Sequence, residues 1–214
     1  MTLLDLPSNA RALYVLAHGA GAGMRHPFLA TMATLLAERG VGTLRYEFPY
    51  MAQKKHRVDP PDVAAAAVRA AVVAAAEAAP GLPLIAGGKS FGGRMTSTAQ
   101  AQEPLPGVVG LVFLGFPLHP PGRPGTSRAE HLAQVQIPML FLQGTRDEFA
   151  QLELLRPVVE GLGARATLHL IEGGDHSFKV PAKSGRTAAQ VMVELCDTIV
   201  AWALRFSGSA EQRL

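Results

Sequence analysis

Gly87-Gly88-Lys89-Ser90-Phe91-Gly92-Gly93 is the stretch that decides how this 214-residue chain is read. Pro83 and a short apolar run, Leu84-Ile85-Ala86, precede it, and Arg94-Met95-Thr96-Ser97-Thr98-Ala99-Gln100, a helix start, follows it. A strand therefore runs into a tight glycine turn and leaves as a helix. Its centre, Gly88-x-Ser90-x-Gly92, has the spacing of a nucleophile elbow. A serine at the apex of so sharp a turn sits in a strained backbone region, where a neighbouring Cβ would clash. Gly88 and Gly92 remove those clashes. The hydroxyl is then presented at the tip of the sheet, and the Phe91 amide points into the same space from a helix N-terminus. One turn thus supplies a nucleophile and an oxyanion donor.

Five-residue Gly/Ser patterns also arise by chance, so these letters alone equally describe a plain strand-to-helix connection. Gly88-Lys89-Ser90 is also the tail of a phosphate-binding loop, but that motif needs a glycine at position 83, which is Pro83.

The length suits one domain over 1–214 with a substantial core. No stretch is long and apolar enough to span a bilayer. The most apolar segment, Val63 to Ala79, is mostly alanine and carries Arg69 and Glu77. Residues Met1 to Pro7 lack the basic n-region and apolar core of a signal peptide, so a cytoplasmic protein is expected, with no membrane partner. The single cysteine, Cys196, excludes an internal disulfide framework and a cysteine-based metal cluster. In a late amphipathic helix it reads as a buried, inert thiol. A net charge of +3 is small, and without an aromatic-basic motif it predicts no nucleic-acid partner. The one basic run, Lys54-Lys55-His56-Arg57, reads as a solvated loop face, or else as a flank of the active-site mouth that favours anionic substrates.

Working outward, Ala12-Leu13-Tyr14-Val15-Leu16-Ala17 has the continuous apolar pattern of a strand buried on both faces of a parallel sheet. Only a short edge strand is possible before it. The loop Gly19-Ala20-Gly21-Ala22-Gly23 follows; Met24 stands where a dinucleotide fingerprint needs glycine. Phe28, Met32, Leu35 and Leu36 predict a helix ending near Arg39-Gly40. A strand over Val41 to Phe48 comes next, then a polar loop over Tyr50 to Arg57. Asp59-Pro60-Pro61-Asp62 supplies an N-cap and first-turn prolines to an alanine-rich helix reaching Ala79. The elbow helix ends before Pro104. Val108 to Gly115 is a strand, and Phe116 to Gln136 a Pro/Gly/Arg-rich connection with a short helical hint at Arg128 to Val135. Strands over Ile137 to Leu142 and Thr167 to Ile171 flank a helix from about Leu152 to Leu162. Thr187 to Phe206 is an amphipathic helix, and Ser207 to Leu214 is expected to fray. This alternation predicts an α/β fold: one doubly wound, mostly parallel sheet with helices on both faces and its site at the C-terminal ends of strands.

Three polar residues fall at such ends: Ser90, Asp147 and His176. Their chain order, Ser, Asp, His, is the one expected with a nucleophile elbow. His176 would take the serine proton and later return it to the leaving group, and Asp147 would fix the imidazole tautomer. Glu148 and Asp175 are competing acids. Asp175 shares the histidine's own loop and is worse placed to orient it. His18 is expected to shape the oxyanion loop, whose donor is the amide of Ala20, with Gly21 as the runner-up. His26, His56, His119, His131 and His169 have no metal-site spacing and read as surface or structural. No metal and no cofactor is expected. Lys89 reads as an exposed lysine at a loop apex, with a substrate carboxylate as its alternative partner.

Together with His18 to Gly23, Arg45-Tyr46-Glu47-Phe48-Pro49-Tyr50, Phe116-Pro117-Leu118-His119-Pro120-Pro121-Gly122, Gln143-Gly144-Thr145-Arg146-Asp147 and Gly173-Gly174-Asp175-His176-Ser177-Phe178, the elbow resembles the α/β-hydrolase superfamily, of the dienelactone-hydrolase-like kind. More narrowly, the chain resembles small hydrolases related to the testis-expressed protein and to a subunit of the NSL histone acetyltransferase complex. The resemblance implies a serine-hydrolase triad at Ser90, Asp147 and His176, and no particular substrate. So little chain precedes the His18 strand that one or both first antiparallel strands must be missing or very short. The cap is short, which implies an open site. The expected reaction is cleavage of a small carboxylic ester or thioester, the small-molecule partner, through an acyl-enzyme. The alternative is a catalytically idle scaffold acting as a protein-interaction module.

Overall fold

The central strands of the computed structural model, which describes residues 1–209, are apolar along their whole length because both faces are covered. Strands β1 (Thr2–Asp5), β2 (Ala12–Ala17), β3 (Val41–Tyr46), β4 (Leu84–Lys89), β5 (Val108–Leu114), β6 (Met139–Gly144) and β7 (Ala166–Ile171) form one seven-stranded sheet in the order β1-β3-β2-β4-β5-β6-β7. Only β1 runs antiparallel, against β3. Helices α1 (Pro27–Glu38), α2 (Pro49–Ala52), α3 (Pro61–Ala78), α4 (Phe91–Gln102), α5 (Leu152–Gly161) and α6 (Ala188–Ala203) occupy the connections. The fold is the doubly wound, mostly parallel arrangement that the alternating pattern predicts.

Strand periodicity sorts the core into two layers. Leu13, Val15 and Ala17 of β2 pack with Val68 and Val72 of α3, Met95 and Ala99 of α4 and Leu155 of α5. Tyr14 and Leu16 face the other way, onto Leu29, Met32 and Leu36 of α1 and Leu195, Ile199 and Trp202 of α6. The Tyr14 hydroxyl, buried with its ring, donates to the Val112 carbonyl at 3.1 Å. Cys196 is fully buried on α6, and burial pushes its thiol up to about 12. Strand order reverses where β2 lies between β3 and β4. The loops leaving β2 and β4 therefore open into one crevice at the switch point. Among the described residues, no helix is long and apolar enough to cross a membrane.

One very short antiparallel strand, the four-residue β1, precedes β2, in line with how little chain is available there. Several local expectations are corrected. Residues 50–57 are not all polar loop, because Pro49 starts α2 and Tyr50 is buried against His18 and Phe91. Asp59 does not cap α3, whose N-cap is Pro60. Its carboxylate instead accepts the Tyr50 N–H at 3.0 Å, which ties α2 to the start of α3. Gly87 and Gly88 belong to β4 rather than to the turn. Chain order persists to Ser209 as a 3-10 run from Leu204, with Ser207 Oγ donating to the Arg11 carbonyl at 3.0 Å. The rest of the segment expected to fray, 210–214, lies outside the described residues.

Trp202 lies against β5 where Gly110 leaves room for its ring, since a Cβ there would overlap the indole. Trp202→Ala would leave a cavity between α6 and the sheet and is expected to cost about 3–5 kcal/mol. Urea unfolding would read this as a lower midpoint with an unchanged slope.

Candidate active site

Because β4 ends at Lys89 and α4 begins at Phe91, Ser90 alone makes the reversal. Its backbone stands at φ +48 and ψ −113, a strained conformation costing about 1–3 kcal/mol that persists only where neighbours enforce it. Here Ser90 N donates to Leu114 O at 3.1 Å, and Ser90 O accepts Arg94 N at 3.1 Å. Gly88 and Gly92 act by letting the turn press against β2. A Cβ on Gly88 would overlap the Ala17 carbonyl, and one on Gly92 the Ala17 side chain and the His18 carbonyl. The clash they avoid is with the neighbouring strand, not within the turn.

Ser90 Oγ lies 2.9 Å from His176 Nε2, and His176 Nδ1 lies 2.7 Å from Asp147 Oδ2. The structure thus brings together the residues that follow β4, β6 and β7. Asp147 is buried, its Oδ2 also accepting Gln143 Nε2 at 2.5 Å and its Oδ1 the Phe149 N–H at 2.8 Å. A carboxylate surrounded by donors accepts a hydrogen bond from the Nδ1–H of the imidazole, which turns the Nε2 lone pair toward the serine hydroxyl. The Phe149 ring packs on the imidazole with centroids 4.2 Å apart. Glu148 is exposed, and Asp175 Oδ1 accepts the Ser177 and Lys179 N–H groups of its own loop at 2.8 and 2.9 Å.

His18 is buried beneath the Gly19–Gly23 loop. Its Nε2 accepts the Phe48 N–H at 3.1 Å, so its Nδ1–H donates to Gly19 O at 2.9 Å. Burial lowers its pKa, with the Gly19 carbonyl and Glu47 opposing, and the neutral ring matches these contacts. The Tyr50 hydroxyl donates to the same Gly19 carbonyl at 3.5 Å and accepts the Gly21 N–H at 3.3 Å. In a planar trans peptide the N–H points opposite to the carbonyl. Fixing Gly19 O toward His18 and Tyr50 therefore turns the Ala20 N–H the other way, while the amide of Gly21 is already engaged.

Ser90, His176, Ala20 and Lys89 line a cleft of about 480 Å³ together with Phe28, Leu29 and Phe149. No residue of 116–136 lines it, nor does any of Lys54 to Arg57. The connection after β5 instead packs on α4, where Ser97 Oγ and His131 Nε2 lie 2.8 Å apart. That second Ser–His contact lacks a carboxylate: Ser97 donates to Arg94 O at 2.9 Å, and burial followed by Arg94 lowers the pKa of His131 to about 4. It fastens the 3-10 segment Ser127–Gln134 to α4. His119 bridges Pro120 O and Gln151 N, His169 pairs with Glu194, and His26 both caps α1 and lines the cleft. Among the described residues, no three His, Cys, Asp or Glu side chains gather to hold a metal ion.

Three participants escape the sequence reading. Gln143 is fully buried and donates to Asp147 while its Oε1 accepts the Phe116 N–H at 2.9 Å. Tyr50 was placed in a polar loop. Lys89 is not an exposed apex lysine: it is half-buried, and its ammonium donates to the His176 carbonyl. The Gln143–Asp147 spacing across one strand end was the available signal for the first; the other two depend on approaches between distant segments.

A family model described as an alpha/beta hydrolase domain matches residues 10–204. The chain belongs to the alpha/beta hydrolase family. Solved structures share its fold. An alpha-beta serine hydrolase homologue from Coxiella burnetii is 20% identical, covers 94% of this chain and 89% of its own, and superposes with a TM-score of 0.73. Dienelactone hydrolase from Anabaena variabilis is 19% identical over 95% and 90% of the two chains, at 0.74. An α/β serine hydrolase without lid from Xanthomonas campestris is 21% identical over 95% and 87%, at 0.70. The narrower likeness to the testis-expressed and NSL-subunit group has no support among these comparisons.

In this alpha/beta hydrolase the loss of Gln143 leaves the buried Phe116 N–H unpaired and removes one of the two hydrogen bonds to Asp147 Oδ2. Gln143→Leu is expected to lower stability by about 1–3 kcal/mol, the cost of one unsatisfied buried group, measured by chemical denaturation.

Proposed function

We propose that the protein is a serine hydrolase that cleaves a small carboxylic ester or thioester through an acyl-enzyme. The observation that carries this reading is the unbroken hydrogen-bond chain from Ser90 Oγ through His176 to Asp147, opening on the cleft. In the proposed reaction Ser90 Oγ attacks the acyl carbonyl while His176 Nε2 takes its proton, and Asp147 stabilises the imidazolium that forms. The N–H groups of Ala20 and Phe91 hold the developing oxyanion. His176 then protonates the departing alkoxide or thiolate. Water enters, gives its proton to the same nitrogen, and releases the acid by the reverse sequence. The cleft volume and its Phe28, Leu29 and Phe149 walls favour a short acyl group.

Treatment of the pure protein with a fluorophosphonate is expected to give one covalent adduct, on Ser90, located by peptide mass spectrometry. Ser90→Ala would abolish both labelling and turnover of short esters while its melting temperature stays near wild type. Asp147→Asn would leave the imidazole in the wrong tautomer and lower turnover about 10⁴-fold. A well-folded wild-type protein that takes no adduct and turns over no ester would overturn the proposal in favour of an idle scaffold.

A further inference from the structure

Resting on the serine-hydrolase reading, we propose that Lys89 is a positioning residue for His176: its ammonium ties the end of the nucleophile strand to the histidine loop and holds the imidazole between Ser90 and Asp147. Lys89 is the last residue of β4, next to the nucleophile in sequence. Its side chain nevertheless crosses to the loop after β7, where Nζ donates to the His176 carbonyl at 2.5 Å.

The loop shows why this contact matters. Gly174 is fixed by its N–H to Ile171 O and by its carbonyl to Arg146 N. Asp175 is fixed by bonds with Lys179 and Phe178, and its side chain accepts the Ser177 and Lys179 amides. Among the described residues, the His176 backbone has one hydrogen bond, and it comes from Lys89. The residue carrying the base is thus anchored from the strand that carries the nucleophile.

The ammonium has a built seat. The Phe178 ring centroid lies 5.4 Å from Nζ. Phe178 itself stands at φ +61, and its ring stacks on Phe28 at 6.0 Å. Gly115, at φ +68, leaves the remaining space. A Cβ there would meet Lys89 Nζ at 3.0 Å, and Asp147 Oδ2 and His176 Nδ1 at 3.4 Å each. The amine, carboxylate and imidazole therefore converge on one small volume. Burial lowers the Lys89 pKa to about 8, with Asp147 and Asp175 pulling it partly back.

The charged and titratable groups around His176 are Asp147 after β6, Lys89 at the end of β4, Asp175 and Lys179 on its own loop, and His26 across the cleft. Lys89 brings a positive charge into this cluster. Its removal alters stability against pH. In the folded state Lys89 loses its proton near pH 8, whereas unfolded it keeps it until about 10.5. The unfolded chain binds more protons in that window, so wild type gains stability relative to a lysine-free variant as pH rises through it.

The test compares wild type, Lys89→Met and Lys89→Arg on short p-nitrophenyl esters, with Lys89→Gln as the shorter uncharged donor should Met fail to fold. Lys89→Met is expected to lower kcat about 10- to 100-fold, the scale of a 1 Å misplacement, with KM changed less than about twofold. Lys89→Arg recovers most of kcat. Unchanged kcat in Lys89→Met would overturn the proposal. So would a KM rise confined to carboxylate-bearing esters, which would make Lys89 a substrate-binding group. If wild type neither labels nor turns over, the hydrolase reading fails by itself. The positioning claim is then decided by an NMR titration of the His176 ring and amide exchange over 175–178. A changed ring signal with faster exchange in Lys89→Met supports it, and identical curves overturn it.

Discussion

The close approach of β4 to β2 is the constraint on which the site depends. Ser90 can stand at φ +48 only because its amide is held by Leu114 and because Gly88 and Gly92 let the turn press against Ala17 and His18. A side chain at either glycine would push β4 off β2, and the strain stored at Ser90 would relax into an ordinary turn. The same approach sets the Gly19–Gly23 loop beside the serine, since that loop leaves the C-terminal end of β2. The proposed nucleophile and amide donor are thus neighbours by sheet order, before any side chain chooses a partner.

From that seat outward, each polar group is placed by its neighbours, some on its own loop and some from distant segments. Gln143 and the Phe149 amide hold Asp147, and Asp147 holds His176. His18 and Tyr50 hold the Gly19 carbonyl, and through the rigid peptide they aim the Ala20 amide. Such networks are high-stakes in a low-dielectric interior, because each satisfied bond is strengthened and each broken one leaves a desolvated group. The contacts of 2.5–2.9 Å in the Ser90–His176–Asp147–Gln143 chain fit a site assembled on strand ends, which move little.

The fold was legible because burial on both faces writes itself as unbroken apolar runs, as in Ala12–Ala17 and Met139–Gly144. The order of Ser90, Asp147 and His176 was legible because each follows such a run directly. Roles that depend on approach between distant segments were not. Tyr50 looked like part of a polar loop, since nothing local says that its ring will wedge between His18 and Phe91. Asp59 had the form of a helix cap, yet its carboxylate serves the Tyr50 amide. Lys89 looked exposed because a loop apex usually is; its side chain turned inward to a loop 87 residues away. The Ser97–His131 pair is the converse case: a serine and a histidine in contact, with neither a carboxylate nor a place on the cleft.

With no residue of 116–136 on the cleft, selection of substrate falls to the segment from Gly19 to Leu29 and to the stretch around His176 to Lys179. On the proposed chemistry these segments also supply the Ala20 donor and the base. The Phe28–Phe178 stack joins them across the cleft, and Phe178 in turn packs against the Lys89 ammonium. A change in the wall at Phe28 would therefore be felt at the seat of Lys89, and through it at His176. Where a larger cap would let specificity vary apart from catalysis, here both rest on the same few contacts. Enlarging the cleft by trimming Phe28 should then cost turnover as well as change the preferred acyl length.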